Sequence, residues 1–205
     1  MAFDLNQGCS GYIYGLATAS SIMEKMQIKK AALITCDTYS KYISKTNRTC
    51  RTLFGDAATL TILERRKEKH FLKFSLGSDP KGFENFKLEN NEIKMNGSEM
   101  FNFSKNSIPK EILDILKKLN IKKNKIDFFV LHQASKLILE TIQNKLEIPH
   151  KKLFKNIKNL GNTVSSSIPL ALYDLFKSNK IKKGNLLLLP GFGIGYSWGT
   201  CVHKH

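Results

Sequence analysis

The sequence predicts an α/β protein. Short apolar runs such as 31–36 (AALITC) and 126–131 (IDFFVL) alternate with stretches of helical periodicity. Such continuous runs suit strands buried on both faces. The order strand, reactive residue, helix also occurs twice, once at Cys9 and once at His132, which suggests an internal duplication.

Residues 2–6 (AFDLN) predict a short buried strand. Gly8 and Gly11 bracket a turn, and 9–26 predict a helix whose first half is built from small residues suited to close packing. A second buried strand follows at 31–36 and a polar, basic loop at 39–53. Residues 54–63 open with FGDAA and continue as a strand. LKFSLGSD predicts a strand, and 80–98 an excursion or linker. Residues 109–119 predict an amphipathic helix with Pro109 at its start. Residues 126–131 predict a buried strand running into His132. Helices are expected at 135–146 and 168–178, then a glycine-rich hairpin of strands 185–190 and 196–203.

With 205 residues the chain suits one sizeable domain or one and a half smaller ones. At 41% hydrophobic it has enough apolar material for a core. No apolar run is long enough to span a bilayer, and the first residues lack the layout of a secretory signal. The expectation is a soluble cytoplasmic protein with no membrane partner. The net charge is +16, with lysine spread among Asn and Ile. That spread fits compositional bias as well as an acidic partner, and no nucleic-acid-binding motif accompanies it. Cys9, Cys36, Cys50 and Cys201 lie far apart without a CxxC pair, so neither a zinc site nor a disulfide framework is expected.

Cys9 falls between a strand and a helix N-terminus. Unpaired N–H groups there favour a thiolate and hence a nucleophile. A structural thiol is the alternative. His132 falls at the C-terminal end of an apolar strand, where α/β proteins place ligand sites, although a core histidine bonded to backbone fits as well. His70, His150, His203 and His205 lie in lysine-rich or terminal segments and are read as solvent-facing. Asn162, in NLGNTVSSSIP, offers an amide N–H to a carbonyl gaining negative charge, or a helix cap. The turn Gly191 to Gly195 (GFGIG) allows backbone N–H groups to approach a ligand. A strand on either side argues against a dinucleotide site.

Together FDLNQGCSGY, FGDAA, LHQAS, LGNTVSSSIPLAL and GFGIGYSWGT resemble, in order and spacing, the β-ketoacyl-acyl-carrier-protein synthase III family of the thiolase-like superfamily. The resemblance covers essentially the whole chain, which lacks roughly the first hundred residues of the family. It implies a layered α-β-α-β-α architecture with an incomplete N-terminal half. Residues 1–80 would be the remainder of that half, 81–108 a connecting segment and 109–205 the C-terminal half.

The resemblance also implies chemistry. Cys9 would take an acyl group from acyl-coenzyme A. His132 and Asn162 would bind the thioester carbonyl of malonyl-acyl carrier protein and stabilise the enolate formed as CO2 leaves. The backbone N–H groups of Cys9 and Ile194 would form an oxyanion hole, and Phe192 would line the cavity. Arg48 would contact coenzyme A. Lys145, and Lys136 beside Leu137, would belong to a carrier-protein docking patch. Asp56 of FGDAA would be architectural. No cofactor is implied, coenzyme A entering as substrate. The family forms homodimers, an arrangement doubtful for a chain without the N-terminal segment. The alternatives are a related acyltransferase or condensing enzyme of secondary metabolism, and an inactive truncated fragment.

Overall fold

The computed structural model describes residues 1–68 and 70–205. A 3-10 turn, Gly8–Ser10, runs directly into helix α1 (Gly11–Lys25). Strands β1 (Lys30–Asp37) and β2 (Ala57–Glu64) pair antiparallel as a two-stranded sheet. Between them the expected loop holds one short helix, α2 (Arg48–Arg51), capped by Asn47, whose Oδ1 accepts from the Cys50 N–H at 3.1 Å.

Strand β3 (Phe71–Ser78) pairs with β8 (Ser197–Lys204), β8 with β7 (Leu186–Gly193), and β7 with the short parallel β6 (Phe128–Phe129). The sheet order is therefore β3-β8-β7-β6. The ladder with β8 joins residues 71–78 to the C-terminal strands.

Residue parity decides which side of this sheet each residue covers. Leu187, Leu189 and Val130 face a core shared with Ile13, Leu16 and Met23 of α1 and with Ile168 and Leu175 of α6 (Ser167–Lys177). Leu188, Phe129 and Leu131 face the opposite core. That core is filled by Ile108, Ile112 and Ile115 of α3 (Gly97–Lys118) and Leu139 and Ile142 of α4 (Lys136–Lys145). The layers run β1–β2 sheet, α1 with α6, four-stranded sheet, α3 with α4. The outer face of the β1–β2 sheet is bare: Ile34 is 68% exposed and Leu60 61%.

Three expectations are decided by the structure. Residues 2–6 form no strand; Phe3 and Leu5 are exposed. A strand exists only through its ladder, and none of the described strands pairs with this segment. Of the two readings of residues 80–98, excursion or linker, the structure shows a folded excursion. After a 3-10 turn, Pro80–Asn85, these residues form the hairpin β4 (Phe86–Glu89) and β5 (Glu92–Met95). Its two-residue turn is Asn90–Asn91, at φ 50° and 61°, the left-handed pair that a tight hairpin turn requires.

Third, the helix expected at 109–119 begins at Gly97, with the Asn96 side chain accepting from the Glu99 N–H at 3.2 Å. Pro109 lies inside it. Proline cannot donate to the carbonyl four residues back, that of Lys105. The Lys145 ammonium, reaching over from α4, donates to that carbonyl at 3.0 Å.

The remaining segment places Asn162. A one-turn helix, α5 (Ile157–Leu160), ends at Gly161. The chain then bridges in parallel to Phe54: the Asn162 N–H donates to the Leu53 carbonyl at 2.8 Å, and the Gly55 N–H to the Asn162 carbonyl at 2.9 Å.

Candidate active site

Cys9 lies in the 3-10 turn ahead of α1, almost fully buried. Gly8, at φ 47°, makes the sharp entry that a side-chain-bearing residue rarely adopts. Strand β7 passes directly beneath. A Cβ on Gly193 would sit 2.7 Å from the Cys9 Cβ and 2.9 Å from its Sγ, and one on Gly191 3.1 Å from the Cys9 carbonyl oxygen. This corrects the reading of 191–195 as a turn. Gly191 to Gly193 are strand, and the turn proper is Ile194 to Tyr196. These two glycines answer close approach to Cys9 rather than a bend.

The Ile194 and Cys9 backbone N–H groups both point at the Cys9 sulfur. These donors favour the thiolate, as the sequence leads one to expect, but burial outweighs them. Desolvation, reinforced by the Asp37 carboxylate, pushes the thiol pKa up to about 12. The direction is opposite to that expected of a helix start, because the thiol is cut off from water and a negative charge lies near it.

His132 is carried by the extension of β6. The N–H of Val130 donates to the Leu188 carbonyl at 2.9 Å and that of His132 to the Pro190 carbonyl at 2.8 Å, continuing the parallel pattern along β7. Its Nδ1 lies 2.6 Å from the Ser167 hydroxyl, and its ring meets Phe192 edge-on, with centroids 5.5 Å apart. Burial lowers its pKa to about 3, so the imidazole is neutral at physiological pH.

The amide of Asn162 is held in one orientation. Its Oδ1 accepts from the Val164 N–H at 3.0 Å, which leaves Nδ2 as the outward donor; one of its protons goes to the Ala134 carbonyl at 3.3 Å. Val164, buried at φ 53°, turns the chain so that its N–H reaches back. A β-branched residue in this region is strained by about 1–3 kcal/mol. Its neighbour Ser165 donates through both N–H (3.1 Å) and hydroxyl to Asp37 at the end of β1, tying the Asn162 loop to the Cys9 side of the molecule.

Cys9, His132, Asn162 and Phe192 line one cavity of about 220 Å³. Its apolar wall includes Phe86, Met95, Met100 and Phe101, all from the stretch the sequence reads as a connector. The alternating pattern around Asn90–Asn91 is the signal that would have exposed that hairpin. Ile194 is not among the residues lining this cavity, and its backbone N–H points at the Cys9 sulfur. Arg48 is exposed, next to Thr49, which lines the cavity. Lys136 stands exposed between the lining residues Ser135 and Leu137, while Lys145 lies at the far end of α4, engaged with α3. Asp56 accepts from the Ser40 N–H at 2.9 Å and from its hydroxyl, an architectural contact. His203, read as solvent-facing, is instead partly buried between β3 and β7, with its pKa lowered to about 4 by desolvation first and by His70 and His205 after it. Among the described residues no group of three His, Cys, Asp or Glu is placed to hold a metal ion, and no helix is long and apolar enough to cross a membrane.

Sheets layered with helices, with a buried cysteine, histidine and asparagine around one cavity, place the fold in the thiolase-like class. Residues 3–80 match the family described as 3-oxoacyl-[acyl-carrier-protein (ACP)] synthase III, and residues 116–205 match the description of its C terminal. The chain belongs to this family, whose members are acyltransferases of the condensing type. It is 37% identical over 200 residues to β-ketoacyl-[acyl-carrier-protein] synthase III 1 of Halalkalibacterium halodurans, covering 97% of this chain and 64% of that protein. It is 35% identical over 221 residues to the synthase III of Porphyra umbilicalis, covering 99% and 68%. The crystal structure of the synthase III from Aquifex aeolicus superposes with a TM-score of 0.95 at 31% identity, over 100% of this chain and 67% of that one. The chain therefore spans about two thirds of the length of its relatives.

Proposed function

We propose that this chain carries the chemical residues of a β-ketoacyl-acyl-carrier-protein synthase III of fatty acid biosynthesis. One observation carries the reading: Cys9, His132 and Asn162, far apart in sequence, line the same cavity. In the first half-reaction the Cys9 sulfur attacks the carbonyl of an acyl-coenzyme A. The C–S bond to coenzyme A breaks, and the thiol proton of Cys9 ends on the departing coenzyme A sulfur. The tetrahedral oxyanion is held by the N–H groups of Cys9 and Ile194, which in the unliganded chain point at the Cys9 sulfur itself.

In the second half-reaction malonyl-acyl carrier protein replaces coenzyme A. As CO2 leaves, the electrons of the broken C–C bond pass to the thioester oxygen, where His132 and Asn162 donate. The enolate carbon then attacks the acyl carbonyl on Cys9. A C–C bond forms, the bond to the Cys9 sulfur breaks, and the released thiolate takes a proton. A neutral imidazole suits a donor that must bind an oxyanion without first losing a proton. Beyond the chain's side chains, its backbone and the two thioesters, the cycle takes up one proton from solvent, which restores the Cys9 thiol after its own proton has left on coenzyme A.

Arg48, exposed beside the lining residue Thr49, is assigned to the coenzyme A nucleotide, and exposed Lys136 to the carrier protein. Lys145 is the weaker docking candidate, because its ammonium is already spent on α3. The reading places the protein in the cytoplasm, where its four thiols stay reduced. The test is intact-mass analysis after incubation with an acyl-coenzyme A. One acyl adduct is expected on the native chain and none on Cys9→Ala, and an adduct that persists on Cys9→Ala would sink the assignment.

A further inference from the structure

We infer that Ser167 is a positioning residue, fixing His132 in the tautomer that carries its proton on Nε2, on the side of the cavity. The inference rests on the condensing reading for its consequence, though not for its geometry.

Ser167 is the first residue of α6 and His132 ends the β6 segment; both are almost fully buried. Their contact, Oγ to Nδ1 at 2.6 Å, admits two arrangements. Either the hydroxyl donates to a bare Nδ1, or Nδ1–H donates to the hydroxyl oxygen. The surroundings separate them. The Gln133 N–H, a group that can only donate, already points at Ser167 Oγ from 3.4 Å. Among the described residues, no hydrogen bond other than that to His132 gives the hydroxyl proton an acceptor. If Nδ1–H donated, the Ser167 oxygen would receive two donors while its own proton stayed buried without a partner, an unfavourable arrangement. If the hydroxyl donates, every group is satisfied.

The proton of the neutral ring then sits on Nε2. Nε2 makes no hydrogen bond with the described residues, and the ring lines the cavity with Cys9 and Asn162. The ring is further fixed by Phe192 edge-on and by the His132 N–H on the Pro190 carbonyl. Ser167 is not among the residues lining the cavity and acts only through the imidazole. Its expected effect therefore falls on the half-reaction that uses His132 as donor. Acyl transfer to Cys9, which uses backbone N–H groups, is left alone.

The test uses the full chain labelled with 15N-histidine. Two-bond proton–nitrogen correlations distinguish Nε2–H from Nδ1–H, and His132→Gln identifies the His132 signals. The native chain is expected to show a neutral His132 protonated on Nε2. Ser167→Ala is expected to populate both tautomers. It should lower CO2 release from malonyl-acyl carrier protein by roughly 10- to 100-fold while Cys9 acylation is unchanged. A native His132 protonated on Nδ1 would overturn the inference. So would a Ser167→Ala chain that keeps the Nε2–H signal and the native rate of CO2 release. If the native chain releases no CO2, the condensing reading fails by itself, and the tautomer measurement still decides the role of Ser167.

Discussion

The backbone N–H of Asn162 donates to the carbonyl of Leu53 at 2.8 Å, so the amide donor of the C-terminal part hangs from the segment leading into β2. Gly55 makes this junction possible, since a Cβ there would stand 2.4 Å from the Leu160 carbonyl oxygen. Gly55→Ala is expected to push the Asn162 loop away from Cys9. Malonyl decarboxylation should fall by roughly 100-fold, the scale of losing one oxyanion donor, while acylation of Cys9 persists. Stopped assays of the two half-reactions read the difference; equal losses in both would show general unfolding instead.

Gly193 bears on Cys9 itself. The methyl group of Gly193→Ala would occupy the space of Sγ, at 2.9 Å. Overpacking of this kind costs about 1–3 kcal/mol in stability. It should also abolish acyl transfer by rotating the thiol out of reach of the Ile194 and Cys9 N–H groups. Alkylation of Cys9 followed by mass spectrometry, beside a thermal melt, checks both effects.

Reactivity of Cys9 in the unliganded chain should rise with pH and reach no plateau below about 11, because its pKa is pushed up to about 12. His132 predicts an effect on stability. Its folded pKa of about 3 lies below the unfolded value near 6.5, so the unfolded chain binds the proton first. Stability is fully present above pH 6.5 and is lost as pH falls toward 3, at up to about 1.4 kcal/mol per pH unit. Denaturant midpoints of native chain and His132→Gln across pH 4 to 7 test the sign: the mutant should show the shallower slope.

Lys145 and Pro109 should couple. With Pro109 in place, Lys145→Met leaves the exposed Lys105 carbonyl to water and is expected to cost about 0.5 kcal/mol, the low end for a hydrogen bond. Pro109→Ala restores a backbone N–H for that carbonyl. In that background Lys145→Met should cost close to nothing. A double-mutant cycle from urea unfolding measures the coupling, and additive losses would disprove it.

The bare face of the β1–β2 sheet predicts association. Ile34→Thr with Leu60→Thr changes two exposed residues on one face and should reduce self-association seen by light scattering. Thr is β-branched, a character strands favour, so the melting temperature should hold. A large drop would mean this face is covered.

Sequence alone determined the local chemistry. The apolar runs of β1, β2, β7 and β8 and the small residues after Cys9 are legible because each signal sits within a few adjacent residues. His132 at the end of 126–131 is legible for the same reason. What failed in sequence reading depends on distant partners. Residues 2–6 have strand composition but no described strand to pair with. Pro109 reads as a helix start until Lys145 supplies the missing donor. Gly191 and Gly193 read as a turn until the Cys9 turn is seen resting on them. The direction of the Cys9 shift reverses because burial, a property of the packed molecule, outweighs the local helix start. Only the tertiary structure could set which atoms of Cys9, His132 and Asn162 face one cavity, since hydrogen bonds, desolvation and close approach act through space rather than along the chain.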